Sequence, residues 1–288
     1  MYSAQINKNL RLLVQCAYNK AVISELSSAI TKLNGNIINL QQHCDDISKN
    51  LFFRLDIEDI LETHTLIDIH HNLKPLIDKF NLDLQLSKGA KRLCIMVSQY
   101  DHCLYDILLR HKYGELNVEI PLIISNHELI EKIAHEFYIP FFYVPVNDTS
   151  NKFQQEQQCL NLLKEHQIDF IALARYMQIL SGPFIAHFPN KIINVHHGFL
   201  PAFKGAKPYH QAYDKGVKMI GATAHFVTEI LDNGPIIAQD TIKVHRKDNI
   251  LEYINKGRDI EKQVFAEAVK AFIEDKIILF NNRTIIFD

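Results

Sequence analysis

The chain has 288 residues, enough for one large domain or two modest ones, and its 47% hydrophobic and 22% charged content is that of a folded globular protein. With 31 basic against 33 acidic residues the formal net charge is −2, which offers no general field for a nucleic-acid backbone. The five cysteines form no C-x-x-C pair, which argues against a disulfide framework or a thiolate metal site, and no run approaches the ~18 apolar residues of a membrane span.

A reducing cytoplasm is the expected compartment, and Met1 to Gln15 lacks the continuous apolar core of a signal peptide. The first elements alternate two periods: a strand at Leu10–Cys16, a helix from Lys20 to Leu33, the turn Asn34-Gly35, and a strand at Ile37–His43. Leu51–Ile57 continues as strand, Thr63–Phe80 has helical spacing, and Leu82–Leu86 alternates again. The order β-α-β-β-α-β is the ferredoxin-like plan. The segment Ser87-Lys88-Gly89-Ala90-Lys91 breaks the pattern, which places a first domain at 1–87 and a second at 88–288.

From Leu93 the chain turns to short apolar strands, Leu93–Val97, Ile120–Ser125, Phe141–Val144, Phe170–Ala174 and Ile192–Val195. Helical segments near His102–Lys112, His127–Phe137 and Lys152–Gln167 separate them, so an α/β domain with a mostly parallel sheet is expected. Ligands of such sheets bind beyond the carboxyl ends of strands, which directs attention to the residues after Ala174 and Val195. Two further strands, Met219–Val227 and Pro235–Val244, flank the turn Asp232-Asn233-Gly234; a helix at Asn249–Glu274 and strands at Ile277–Phe280 and Thr284–Phe287 close the chain.

The densest polar chemistry is Asn194-Val195-His196-His197-Gly198, at the end of a predicted strand. Alternation puts Asn194 and His196 on one face, pairing an amide donor with an imidazole that can hold a proton, as a formyl or acyl carbonyl needs when its oxygen becomes an oxyanion. Adjacent histidines point to opposite faces and no Cys, Asp or Glu flanks them, which speaks against zinc; a packing role for both remains open. Asp232 reads first as a turn former. Lys204 and Gly205 lie in a loop that could cover a site or simply connect, with Pro208 opening a short helix. The run Arg175-Tyr176-Met177-Gln178-Ile179-Leu180 is either an apolar wall for a flat ring or plain core. No Gly-rich phosphate cradle follows the first strand of the second domain, and Cys103 is either a reactive thiol at a helix start or a small buried hydrophobe.

Taken in order, these pieces resemble the formyltetrahydrofolate deformylases, hydrolytic members of the folate-dependent formyltransferase superfamily. The motifs that carry the resemblance are Ser98 to Leu104, Ser125-Asn126-His127, Leu173 to Gln178, Ile193 to Pro201, Phe203 to Ala212, Ile220 to His225 and Leu231 to Ile237. The resemblance implies that Asn194, His196 and Asp232 form the catalytic set, which outweighs the turn-only reading of Asp232. It implies that Met177, Gln178, Ile179 and Leu180 flank the folate pteridine, with Arg175, His197, Gly198, Lys204 and Gly205 also on the substrate. The implied reaction takes 10-formyltetrahydrofolate and water to formate and tetrahydrofolate, supplying formate for purine synthesis, with no metal or cofactor. Partners would be the folate and water, with neither nucleic acid nor membrane, and a homo-oligomer is implied by an N-terminal ACT domain at residues 1–86.

Two departures stand out. The family has Ser where this chain has Gly198, so no hydroxyl nucleophile exists there and water must attack directly. Tyr18 and Ala21 stand where the ACT loop has Asp and Gly, which implies a weak or absent response to amino acids. The rival readings are a formyltransferase to an amine, disfavoured by the missing Gly-Asn-Gly phosphate loop at Ser98–Cys103, and a non-catalytic folate sensor, disfavoured by the retained Asn194, His196 and Asp232.

Overall fold

A computed structural model describes residues 9–146, 151–203, 205 and 207–288, and these divide into two compact units. One comprises residues 9–90 and 274–288, the other residues 91–273.

The first unit runs β1 (Leu10–Ala17), α1 (Val22–Lys32), β2 (Asn36–Asp45), β3 (Asn50–Glu58), α2 (Ile60–Thr63), α3 (Leu66–Phe80) and β4 (Asp83–Ser87). Its four strands form an antiparallel sheet in the order β2-β3-β1-β4. Alternate residues Leu10, Leu12 and Val14 of β1 and Phe53, Leu55 and Ile57 of β3 pack with Val22, Leu26 and Ile30 of α1 and Ile69 and Leu73 of α3, the period-two face meeting two helical stripes. The expected continuous helix at 63–80 is interrupted, because Thr65 caps α3: its Oγ1 accepts from Asp68 N at 3.2 Å and Asp68 Oδ2 accepts from Thr65 N at 2.9 Å. Ala21, in the loop before α1, has φ −86°, so its β-carbon meets no left-handed strain.

The second unit runs β5 (Lys91–Val97), α4 (His102–Lys112), β6 (Val118–Ser125), α5 (Glu131–Glu136), β7 (Phe141–Tyr143), α6 (Lys152–Glu165), β8 (Phe170–Ala174), α7 (Gly182–His187), β9 (Ile192–His196), α8 (Pro208–Asp214), β10 (Met219–Phe226), β11 (Ile236–Lys243) and α9 (Ile250–Ile273). The seven strands lie in the order β11-β10-β9-β8-β5-β6-β7. Those from β5 to β9 are parallel, while β10 runs antiparallel to both β9 and β11. The chain therefore builds outward from β5 to β7 and then returns to the other side of β5 with β8. Such a switch opens a crevice beyond the carboxyl ends of β5 and β8. The pattern of the sequence does not reveal α7, which is short and owes its start to Ser181, whose Oγ accepts from Phe184 N at 3.3 Å.

The chain closes with β12 (Ile277–Phe280) and β13 (Arg283–Ile286), an antiparallel hairpin. The second domain, expected at 88–288, stops short of that end, because 274–288 belong to the first unit. Ile278 and Phe287 pack with Leu13 and Phe52 on the sheet face opposite α1 and α3, and Arg54 donates to the carbonyls of Asp275 at 3.1 Å and Glu274 at 3.0 Å. Local patterning cannot show such long-range partners. Among the described residues no helix is long and apolar enough to cross a membrane.

Candidate active site

Alternation along β9 sends Asn194 and His196 to one face, and the antiparallel pairing with β10 sets Asn194 opposite His225 and His196 opposite Thr223. Both Asn194 and His196 line a cavity of about 570 Å³. His225 Nδ1 lies 2.8 Å from the Phe226 carbonyl, so that nitrogen carries the proton and donates. Burial holds the His225 pKa below the ordinary histidine value, outweighing the Phe226 bond and the charge of Asp232, so the ring is neutral and Nε2 is an acceptor. Asn194 Nδ2 donates to it at 3.2 Å, which fixes the amide and leaves the second N–H of Nδ2 for another acceptor.

Asp232 follows β10 in a left-handed conformation, φ 52°, that Asp tolerates better than most residues. Its Oδ2 lies 3.3 Å from His196 Nδ1 and accepts from Gly205 N at 3.3 Å. Burial raises its pKa, but the hydrogen bond and charge of His196 together with the Gly205 N–H outweigh this and hold the carboxyl below its ordinary value. The other ring nitrogen of His196 is 3.1 Å from the Phe203 carbonyl. Both ring nitrogens thus face oxygen acceptors. His197 differs: burial, then the charge of Arg175, pushes its pKa down to about 3, so it is a neutral wall between His196 and Tyr209.

The apolar wall begins at Arg175, which follows β8 with φ 60°. Ser98, just after β5, brackets this turn: its N–H donates to Arg175 O at 3.3 Å, and its Oγ accepts from Met177 N at 2.9 Å while donating to Asn126 Oδ1 at 2.7 Å. Met177 and Ile179 are 51% and 61% exposed, while Leu180 is 8% exposed. The strip therefore presents two large apolar side chains to a ligand and anchors the third in the core.

Glu261 of α9 also lines the cavity and is 1% exposed. Its Oε1 accepts from Tyr209 Oη at 2.5 Å, and its Oε2 lies 2.9 Å from His102 Nε2 and 3.4 Å from Arg175 Nε. Burial raises its pKa, yet the His102 bond, the Arg175 charge and the Tyr209 bond outweigh that and keep it ionised. His102, Cys103 and Glu261 form a group with metal-ligand reach among the described residues. The arrangement suits an ion poorly, since both Glu261 oxygens are engaged, Arg175 stands beside them, and burial pushes the Cys103 thiol well up. That shift also removes Cys103 as a reactive thiol.

Of the residues singled out from the sequence, Asn194, His196, Asp232, Arg175, Met177, Gln178, Ile179, Leu180, His197 and Gly205 all line this cavity. Lys204 lies outside the described residues. Gly198, expected on the substrate, is not among the residues that line the cavity: a β-carbon there would meet His196 Nε2 at 2.9 Å and the Phe203 carbonyl at 3.1 Å, so a side chain at 198 is not a neutral addition. His225, Glu261, Tyr209 and Arg258 also line the cavity without being expected there; His225 alone has a usable sequence signal, its place in the strand that faces β9.

A family model described as formyl transferase matches residues 91–269. The chain is 43% identical to the formyltetrahydrofolate deformylase of Synechocystis sp., over 98% of this chain and 99% of that one, and 40% identical to that of Bacillus subtilis, over 96% and 93%. The crystal structure of a formyltetrahydrofolate deformylase from Pseudomonas syringae pv. tomato aligns with a TM-score of 0.92 at 37% identity, over 97% of this chain and 94% of that one. A glycinamide ribonucleotide transformylase 1 from Symbiobacterium toebii aligns over only 69% of this chain, with a TM-score of 0.65 at 27% identity. With a match that runs through both units, this chain belongs to the formyltetrahydrofolate deformylase family.

Proposed function

We propose that this chain hydrolyses 10-formyltetrahydrofolate to formate and tetrahydrofolate, with water as the direct acceptor of the formyl group and without metal or organic cofactor. The observation that carries the reading is the convergence of the Asn194–His225 and His196–Asp232 pairs on one cavity whose other wall is the apolar strip from Met177 to Leu180. As the water oxygen bonds to the formyl carbon, the carbonyl electron pair moves onto oxygen, where the free N–H of Asn194 holds it, joined by the His196 Nε2–H as that group exchanges the Phe203 carbonyl for the oxyanion. Asp232 takes the proton lost by water, and His196 gives a proton to N10 as the carbon–nitrogen bond breaks. Both groups return to their starting states by exchange with solvent when the products leave.

The first unit, with its βαββαβ order, acts in this reading as an ACT module that pairs with a second copy. Tyr18 and Ala21 in its first loop leave it with weak or absent amino-acid response, by loss of a charged partner rather than by backbone strain. The enzyme works in the cytoplasm, and its formate feeds purine synthesis. The test is formate release from 10-formyltetrahydrofolate with no amine present, and no formylated product on adding glycinamide ribonucleotide. Transfer to that amine in amounts matching folate consumed overturns the hydrolytic reading.

A further inference from the structure

We infer that Arg175 forms a subsite for a small carboxylate, the formate set free by hydrolysis, at the Tyr100 end of the cavity. This deepens the hydrolytic reading above and rests on it. Arg175 is 8% exposed, yet its Nη1 is buried with no hydrogen-bond partner among the described residues. Glu261 does not satisfy it: that carboxylate approaches only Nε, at 3.4 Å, and its oxygens are already bonded to Tyr209 and His102. Arg175 lines the cavity, a buried guanidinium N–H without a partner wants an acceptor, and the charge around it defines which kind.

Two cations face this end. Arg175 and the exposed Arg258 lie over the same Tyr100 ring, at 5.2 Å and 5.8 Å from its centroid, and both line the cavity. Glu261 neutralises one of them, while Asp232 is engaged by His196. A positive charge is left for a ligand. Hydrolysis converts a neutral formamide into an anion inside this cavity, and formate presents two coplanar oxygens that match a guanidinium fork. Its single carbon needs no more room than the leaving product has. The left-handed backbone of Arg175, φ 60° and held by Ser98, fixes the side chain at this place.

Carboxylate could also come from the glutamate tail of the folate, and the experiment separates the two. Carbon-13-labelled formate is titrated into the full-length protein at constant chloride, with line broadening giving its dissociation constant, and formate and tetrahydrofolate are each measured as inhibitors of turnover. The wild type is expected to bind formate saturably. Arg175→Met raises both formate constants at least tenfold and leaves the tetrahydrofolate constant within about twofold. Arg175→Lys, which keeps the charge without the fork, recovers part of the loss, and Arg258→Gln at the rim weakens formate about threefold. Unchanged formate constants in Arg175→Met overturn the proposal; should that variant fail to fold, unchanged constants in both Arg175→Lys and Arg258→Gln do so. A tenfold loss of tetrahydrofolate affinity with formate unaffected also overturns it, by assigning Arg175 to the glutamate tail. Failure of the hydrolytic reading shows separately, as wild-type protein that releases no formate, because formate binding is read without turnover.

Discussion

Asn194 and His225, 31 positions apart, are register partners across β9 and β10, and their side chains meet at 3.2 Å with the amide nitrogen donating to the imidazole. The direction of that bond is set one step further away, because the Phe226 carbonyl at 2.8 Å claims the proton of the other ring nitrogen. A backbone oxygen thereby decides which end of the Asn194 amide is left for the cavity. His225→Leu removes the acceptor and frees the amide to rotate, so kcat is expected to fall about ten- to a hundredfold with KM little changed. His225→Gln, whose oxygen can accept the same N–H, should recover part of the rate. Equal activity in all three proteins would show that Asn194 needs no such anchor.

His196→Ala is expected to lower turnover by about a hundredfold or more while tetrahydrofolate still binds, since oxyanion and general-acid roles each carry factors of that order. Asp232→Asn separates two functions of one residue. Asn also tolerates the φ of 52° that the turn requires, so the fold is kept while the charge beside His196 is lost. A fall of similar size in kcat, with an unchanged melting temperature, assigns Asp232 to the chemistry; full activity would leave it a turn former.

The element order was legible because short apolar runs mark β1, β3 and β9 as buried strands and the helices keep a 3.6 period, and the Asn194–His196 face follows from strand geometry alone. Glu261 was not legible. A glutamate in a long amphipathic helix reads as solvated surface, and only the fold brings His102, 159 positions away, and Tyr209, 52 positions away, around it. Arg175 is named by the resemblance, but its burial is tertiary, depending on Glu261 and Tyr100. Asp232 showed both meanings at once: turn chemistry is local and visible, whereas the carboxylate's approach to His196 is tertiary.

Acid should destabilise the protein from near pH 6.5 downward. A histidine whose folded pKa is depressed binds fewer protons than in the unfolded chain, so its contribution is complete above the unfolded value of 6.5 and is lost as pH falls toward the folded one. For His197 that window runs from 6.5 to about 3, and His225 shifts in the same direction. Asp232 and Glu261, also depressed, add losses that begin only below their ordinary values of 3.8 and 4.5. Denaturant unfolding between pH 6 and 4 should therefore show stability falling with pH, and His197→Gln should flatten the slope by roughly one proton, ~1.4 kcal/mol per pH unit. An unchanged slope would mean that His197 is protonated in the folded state.

Ser98 offers a test of the apolar strip without touching it. Its hydroxyl ties Met177 N to Asn126 Oδ1, so Ser98→Ala leaves that N–H unpaired and loosens the segment on which Met177 and Ile179 stand. KM for the folate is expected to rise about three- to tenfold with a smaller effect on kcat, reflecting ~1 kcal/mol of lost positioning. A fall confined to kcat would place Ser98 in the chemistry instead.

The terminal hairpin carries the last prediction. Phe52 is fully buried, Phe280 meets it edge-on with centroids 5.2 Å apart, and Leu13, Ile278 and Phe287 close the same cluster. Asp275 strengthens the join, accepting from Ser87 Oγ at 2.5 Å and pairing with Arg11 Nε at 3.1 Å. If this cluster is a second core for the sheet, Phe52→Ala should cost ~3–5 kcal/mol, as for other large-to-small changes, and Phe280→Ala, whose ring is only partly buried, should cost less. Because the two rings touch, the double variant should cost less than the sum of the singles by more than ~0.5 kcal/mol. Additive losses in denaturant unfolding would show that β12 and β13 lie on the sheet without sharing its packing.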